Sequence, residues 1–317
     1  MLIMWTALLS QVAGHNYRVV LSVFEERNII QGTGCAARIP FCVSLQEDAP
    51  MKHMGPLISV TLKWTLRDRA LHGLFGATLL LFALIPIMSI FSMRQVQELS
   101  ITLSLSMISF ILLILAVLLG SSSVWRDIER RYTASVLGLP ISRATYISAK
   151  FIGIAFFIIS CAALLGLAAC LTIGITRVLY PPLPPVNWLN ICIAVIVDSF
   201  KYILLGAFSL LFSALSTSFF LPFFGTIAVF LAGNASQEVF EFISGDFGKT
   251  MARPILLFLK MLYYLLPNFS AFNLKVQAIY GLPLSGPGLA YTILYFVIYT
   301  SLLVIGAQWI FSRRELS

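Results

Sequence analysis

The sequence predicts an all-α, polytopic membrane protein. It reads as six transmembrane helices with an N-terminal interfacial elbow helix, a cytoplasmic coupling helix and a re-entrant outer segment. Three observations carry that reading. Of the 317 residues, 59% are hydrophobic and only 11% charged, whereas soluble domains carry roughly 25% charged residues. Uncharged apolar runs of about 20 residues, the length that crosses a bilayer, recur along the chain. The basic residues fall mainly in the connections between these runs. The length suits one helical membrane domain with small loops.

Composition also removes several classes of function. The net charge of +8 suits basic loops facing anionic lipid heads, so no nucleic-acid partner is expected. The five cysteines are scattered, and Cys161, Cys170 and Cys192 lie in apolar spans, where cysteine behaves as a small hydrophobe. No pair has zinc-site spacing or implies a disulfide framework. His15, His53 and His72 all fall outside the spans. With no intramembrane histidine and no His-Glu-x-x-His motif, neither a metal site nor an intramembrane enzyme is expected.

Residues 1–53 begin with an apolar stretch, Met1 to Leu9, that lacks the preceding Lys or Arg of a signal peptide. They read as a poorly ordered extension or as sequence upstream of a true start at Met51 or Met54, leaving 54–317 as the membrane domain. From Pro56 to His72 an amphipathic helix is expected. Leu57, Val60, Trp64 and Leu71 share one face, and Lys63, Arg67, Asp68 and Arg69 form the polar side, which suits a helix lying at the inner membrane surface.

The spans follow. The first is expected at 74–93, with Pro86 as a kink, since membrane helices tolerate proline. After a short turn at Arg94 to Glu98, the second runs over 99–124. The third occupies 151–176 and ends at Arg177 and the Pro-rich 180–185. Tyr202 to Gln237 is 36 residues without a charge, too long for one span and too short for two. The fourth therefore starts upstream and covers 190–214. It carries Asp198 and Lys201 into the outer half of the bilayer. Ser216-Thr217-Ser218 and Pro222 make a tight hairpin into the fifth, 219–235. Ile255–Leu266 is apolar but short, holds Lys260 and stops at Pro267, as a re-entrant or interfacial helix would. The sixth is 289–311, anchored by Arg313 and Arg314. Gly153, Ala162, Gly166, Gly206 and Ser213 permit close helix approach within the bundle.

The loop from Trp125 to Lys150 holds five of the 21 basic residues, which places it on the cytoplasmic side together with both termini. Glu129 to Leu137 reads as a short helix stopped by Gly138 and Pro140, and Ser142 caps the next helix through its hydroxyl. A helix, a stop and a helix held under the membrane form a docking element, with charges for orientation and Tyr132, Val136 and Leu137 as an apolar ridge.

Asp127-Ile128-Glu129, then Leu137-Gly138-Leu139-Pro140-Ile141-Ser142-Arg143, then Tyr146 and Lys150, resemble the signature of ABC-2 type permeases. These are the membrane subunits of ABC transporters whose ATPase is usually a separate chain. The elbow helix, six spans, coupling loop and re-entrant segment resemble that family's architecture over about 55–317. Leu266-Pro267-Asn268-Phe269 with Phe272-Asn273 is similar to the branch of copper-enzyme maturation and sodium-efflux permeases. One departure is Arg130-Arg131, where many relatives carry a small residue.

The resemblance implies a permease, with export as the expected direction, in a bacterial cytoplasmic membrane. An ABC ATPase subunit would bind ATP and magnesium, and a second copy or a related permease would complete a dimer in the bilayer. Glu129, Arg130, Tyr132, Leu137, Pro140 and Arg143 are the expected ATPase contacts. Gly248-Lys249-Thr250 ends like a phosphate-binding loop, but Ile243 stands where the glycine is required. Asp198 and Lys201, three residues apart on one helical face, are close enough to neutralise each other and are candidates for the substrate pathway. The alternative is a secondary, ion-coupled transporter built on that pair.

Overall fold

Every regular element is helical among the residues that the computed structural model describes, which are 54–67, 69–90, 95–129, 142–180, 186–216, 218–245 and 266–313, with 254, 256, 259–261 and 263 between them. In chain order the helices are α1 (Met54–Leu66), α2 (Arg69–Ile90), α3 (Val96–Glu129), α4 (Arg143–Leu179), α5 (Trp188–Leu215), α6 (Phe220–Ser244), a 3-10 turn (Phe269–Phe272), α7 (Lys275–Tyr280) and α8 (Gly286–Arg313). Six of them, α2 to α6 and α8, are long and apolar enough to cross a membrane.

The strands of hydrophobic sequence became longer helices than expected, for identifiable reasons. Ser142 does cap α4: its hydroxyl accepts from the backbone N–H of Thr145. The helix therefore starts at Arg143, as that cap predicts, eight residues before the apolar span expected from 151, and takes Lys150 into its third turn. At the other end of the same connection α3 runs to Glu129, and the rest of the short helix expected over Glu129 to Leu137 lies outside the described residues. Nothing between Trp125 and Glu129 breaks the i→i−4 ladder. α6 runs past 235 to Ser244 because Asn234 and Gln237 find polar partners beside it. The expected single helix over 56–72 is divided: α1 ends at Leu66, and 69–72 belong to the first span. Leu71 thus leaves the proposed apolar face, and Thr61 and Leu62 of α1 are buried instead. The chain continues helically through Pro86.

α5 is the axis of the bundle. Two thirds of its apolar window, 67%, is buried, against 6% for α8. It packs on α3, α4, α6 and α8. Between apolar helices in lipid, association relies on close backbone approach and interhelical hydrogen bonds. Both occur here. Gly120 of α3 faces Ser209 and the Gly206 carbonyl of α5 so closely that a Cβ would collide with them. Alongside, Ser209 Oγ donates to the Val117 carbonyl at 3.4 Å and Ser213 Oγ to the Ser121 carbonyl at 3.2 Å. Between α3 and α4 the hydroxyl pairs Ser100–Thr176 and Ser104–Thr172 lie at 3.2 and 3.3 Å. α1 seats Thr61 against Gly153 of α4. The small residues singled out at 153 and 206 sit at these crossings, each facing another helix.

At the end of the bundle away from the 130–141 connection, the chain dips back among the helices. Phe269 and Phe272 are fully buried, and Phe269 lies against Phe230 and beside Gly233 of α6, where a side chain would strike its ring and the Pro267 carbonyl. The described positions from 254 to 263 are helical, and Tyr263 stacks on Phe240 with centroids 4.2 Å apart. Along α8, exposed Tyr291 and Trp309 lie 18 residues apart, about 27 Å at 1.5 Å per residue. That is close to the roughly 30 Å hydrocarbon thickness at whose edges such rings concentrate.

Replacing Gly120 by valine is expected to destabilise the protein by about 1–3 kcal/mol, the usual cost of overpacking. Gly174→Ala, at a position where a Cβ meets nothing within 4 Å, serves as the control. Thermal unfolding in lipid nanodiscs reads both, and equal transitions for the two variants would contradict the tight seam.

Candidate functional site at the base of the 130–141 connection

The two longest helices, α3 and α4, bracket this connection, and their 34 and 37 residues make them about 50 and 55 Å long. A hydrocarbon core of roughly 30 Å leaves several turns of each outside it. Polar side chains cluster on these turns. Asp127 lies near the end of α3. Tyr146 and Lys150, four residues apart, present one face of α4 to it. Lys150 Nζ lies 2.6 Å from Asp127 Oδ2. The Tyr146 hydroxyl donates to that same oxygen, and Lys150 also donates to the Ser123 carbonyl at 3.4 Å.

Tyr146 is fully buried, and the side chains of Lys150 and Asp127 are only 13% and 17% exposed. A charge pair so enclosed is held by geometry as well as attraction. With one carboxylate oxygen receiving two donors, both ends of the intervening connection are pinned together. The pair is the one ion pair among the described residues.

The clamp does not stop at α3 and α4. Tyr146 stacks on Phe311 of α8 at 5.6 Å between centroids. Gln308 Nε2 donates to Ser148 Oγ at 2.8 Å, and Arg143 Nη1 donates to the Ser312 carbonyl at 3.1 Å. A cation at the last carbonyls of a helix satisfies acceptors that have no intrahelical donor. Trp125 meets Phe219, which brings in the start of α6. Three spans therefore converge beneath the connection, and a fourth touches it.

Of the residues picked from the sequence for this region, Arg143 sits in the first turn of α4 and reaches toward α8. The backbone of Glu129 ends α3, but its side chain lies outside the described residues. Arg130, Tyr132, Leu137 and Pro140 also lie outside them, as do 1–53, 181–185 and the Gly248-Lys249-Thr250 run. The sequence motif does not mark the clamp as a unit. Asp127, Tyr146 and Lys150 stood in the quoted motif without roles. The i, i+4 spacing of a tyrosine and a lysine after an acid across the loop was the available signal.

Asp198 and Lys201 lie elsewhere, in the N-terminal half of the 28-residue α5. They do not pair with each other. Asp198 Oδ2 accepts from Ser109 of α3 at 2.7 Å, and Lys201 Nζ donates to Asn234 Oδ1 of α6 at 3.0 Å. No ion pair joins them among the described residues. Lys201 is buried, with the Phe230 and Tyr202 rings 5.1 and 5.6 Å from its ammonium. Each charge thus fastens α5 to a different neighbour. The two charges do not meet as a direct ion pair because each side chain finds a nearer partner on a different neighbouring helix, α3 for Asp198 and α6 for Lys201.

Among the described residues no group of three His, Cys, Asp or Glu is placed to hold a metal ion. A family profile described as "ABC-2 family transporter protein" matches residues 50–316. Among curated proteins none matches the sequence.

Asp127→Ala leaves the enclosed Lys150 ammonium without its counter-charge and the Tyr146 hydroxyl without its acceptor. A loss of roughly 2–3 kcal/mol is expected, read as a lowered unfolding transition. The double variant Asp127→Ala with Lys150→Met should recover part of it. If the double variant is no better than the single one, the clamp is not the source of the loss.

Proposed function

We propose, from the premise that this chain belongs to the ABC-2 transporter family as its multi-pass membrane component, that the 130–141 connection is the knob on which a separate ATPase subunit docks. The observation that carries this is the clamp of Asp127, Tyr146 and Lys150. A loop that only joined two spans would need no buried ion pair at its base. A loop that receives force from another protein needs a stiff root, or the push is lost in local bending. The basic residues of the connection support a cytoplasmic position for it, and with it for both termini of the membrane domain 54–317. ATP and magnesium bind to the partner. Glu129, Arg130, Tyr132, Leu137 and Pro140 make the docking contacts. Arg143 braces the knob against α8 and reaches the partner only from its edge.

The transported direction is export. The membrane is the bacterial cytoplasmic membrane, and two copies of this chain, or this chain with a related one, enclose the pathway. The buried Phe269 and Phe272 support an outer segment that turns back into the bundle after the re-entrant helix expected over Ile255–Leu266, and they belong to the Leu266-Pro267-Asn268-Phe269 and Phe272-Asn273 runs that liken the chain to the copper-enzyme maturation and sodium-efflux branch. α1, seated on Gly153 of α4, acts as the elbow. The ion-coupled alternative loses ground because Asp198 and Lys201 are occupied in fastening helices. They line the pathway at most as fixed charges.

The test is recovery of the ATPase. Affinity-purified chain from native membranes should bring ATP hydrolysis with it. The variant Tyr132→Ala with Leu137→Glu should lose at least about 90% of that activity, as truncating central anchors at an interface does. Its own yield and helicity should not change. Undiminished ATPase recovery would remove the docking role from the connection.

A further inference from the structure

We infer that α8 is a connecting rod: it joins the clamp beneath the 130–141 connection to the buried turn at Pro267–Phe272, at opposite ends of the bundle. It is held at two places, near its C-terminus and at Tyr295, by hydrogen bonds backed by ring contacts. At the clamp end Phe311 stacks on Tyr146, Gln308 bonds Ser148, and the Ser312 carbonyl receives Arg143. At the far end the Tyr295 hydroxyl accepts from the backbone N–H of Asn268 at 3.1 Å, and its ring meets Phe272. Tyr295 and Phe311 are 16 residues apart, about 24 Å along a helix.

Between those places the contacts are of another kind. Phe296 stacks on Phe200 at 4.8 Å and Tyr299 meets Phe208 at 5.8 Å, both on α5. These two joints are ring packing, whereas those at the clamp and at the buried turn combine rings with hydrogen bonds. The buried hydroxyl of Thr300, in the same stretch, has no hydrogen-bond partner. A buried donor left unpaired is costly, and Thr300 adds no polar bond that would hold α8 to its neighbours. α8 is also the least buried of the six spans. A stiff helix that is held at two places, packed by rings between them and lightly buried moves as one body.

What it would move is the far-end turn. Asn268 Nδ2 donates to Gln237 Oε1 of α6 at 2.8 Å, and Ser270 Oγ donates to the Asn234 carbonyl at 3.3 Å. Asn234 in turn holds Lys201 of α5. Displacing Tyr295 therefore pulls on the turn that closes against Gly233. Tyr295 and Phe311 are positioning residues in this scheme. Their task is to carry a shift of the clamp to the other side of the membrane. The direction of use rests on the docking role proposed above, but the linkage can be tested with no ATPase present. A failure of one is therefore distinguishable from a failure of the other.

The test is hydrogen–deuterium exchange of the full chain in lipid nanodiscs. Phe311→Ala should speed exchange in 266–274 by about two- to thirty-fold, the span of couplings carried by such contacts, while 105–117 of α3 stays unchanged. Tyr295→Phe keeps the ring and removes the hydroxyl. By reciprocity it should speed exchange in 142–148 as well as in 266–274. The inference is overturned if Phe311→Ala loosens only 305–313, or speeds every helix alike. It is equally overturned if Tyr295→Phe leaves 142–148 at the unaltered rate.

Discussion

A polar atom carried into an apolar helix bundle has to be answered by a neighbour, because neither lipid nor a dry interior will answer it. This constraint organises the molecule. Many serine and threonine hydroxyls in the spans turn back on their own helix, as Ser89 does to Ile85, Ser121 to Val117 and Thr226 to Pro222. Others reach the next helix, some while also bonding their own, and these crossings define the seams of α3 with α4 and α5. The same demand makes α6 longer than its apolar stretch, because Asn234 and Gln237 are tolerable only where Lys201 and Asn268 come to meet them.

Charge inside the bundle obeys the rule more strictly than hydroxyls do. Asp127 and Lys150 satisfy each other across the gap between two helices. Asp198 and Lys201, though neighbours on one helix face, divide their attention between α3 and α6. The contrast follows from geometry. Tyr146 and Lys150 stand on a different helix from Asp127 and converge on one oxygen. Side chains on a single helix, by contrast, point outward from a common axis and meet whatever packs nearest. The first arrangement makes a rigid root for a loop. The second makes a three-helix fastening halfway along α5.

Rigidity and looseness are distributed unevenly as a result. α5 is enclosed on most sides and cross-linked at several depths, so it is the fixed member. α8 touches it mainly through rings, and hydrogen bonds hold it near its C-terminus and at Tyr295. A transporter needs both properties in one body: a frame that keeps its shape, and at least one element whose small displacement is felt at a distance.

By itself the sequence determined the number of spans, their order, the hairpin at 216–218 and the cap at Ser142. These depend on local composition and periodicity, which a window of twenty residues contains. It also marked the small residues at 153 and 206, because a glycine inside an apolar helix has few reasons to be there other than close approach. Tertiary structure alone decided the break at Arg67, the C-terminal ends of α3, α4 and α6, and the partners of Asp127, Asp198, Lys201 and Tyr295. Helix ends in apolar surroundings are set by which neighbour satisfies the last polar groups. Those neighbours lie between 19 and 89 residues away along the chain. No local pattern in the sequence encodes a pairing over that separation, since it exists only once the helices have packed.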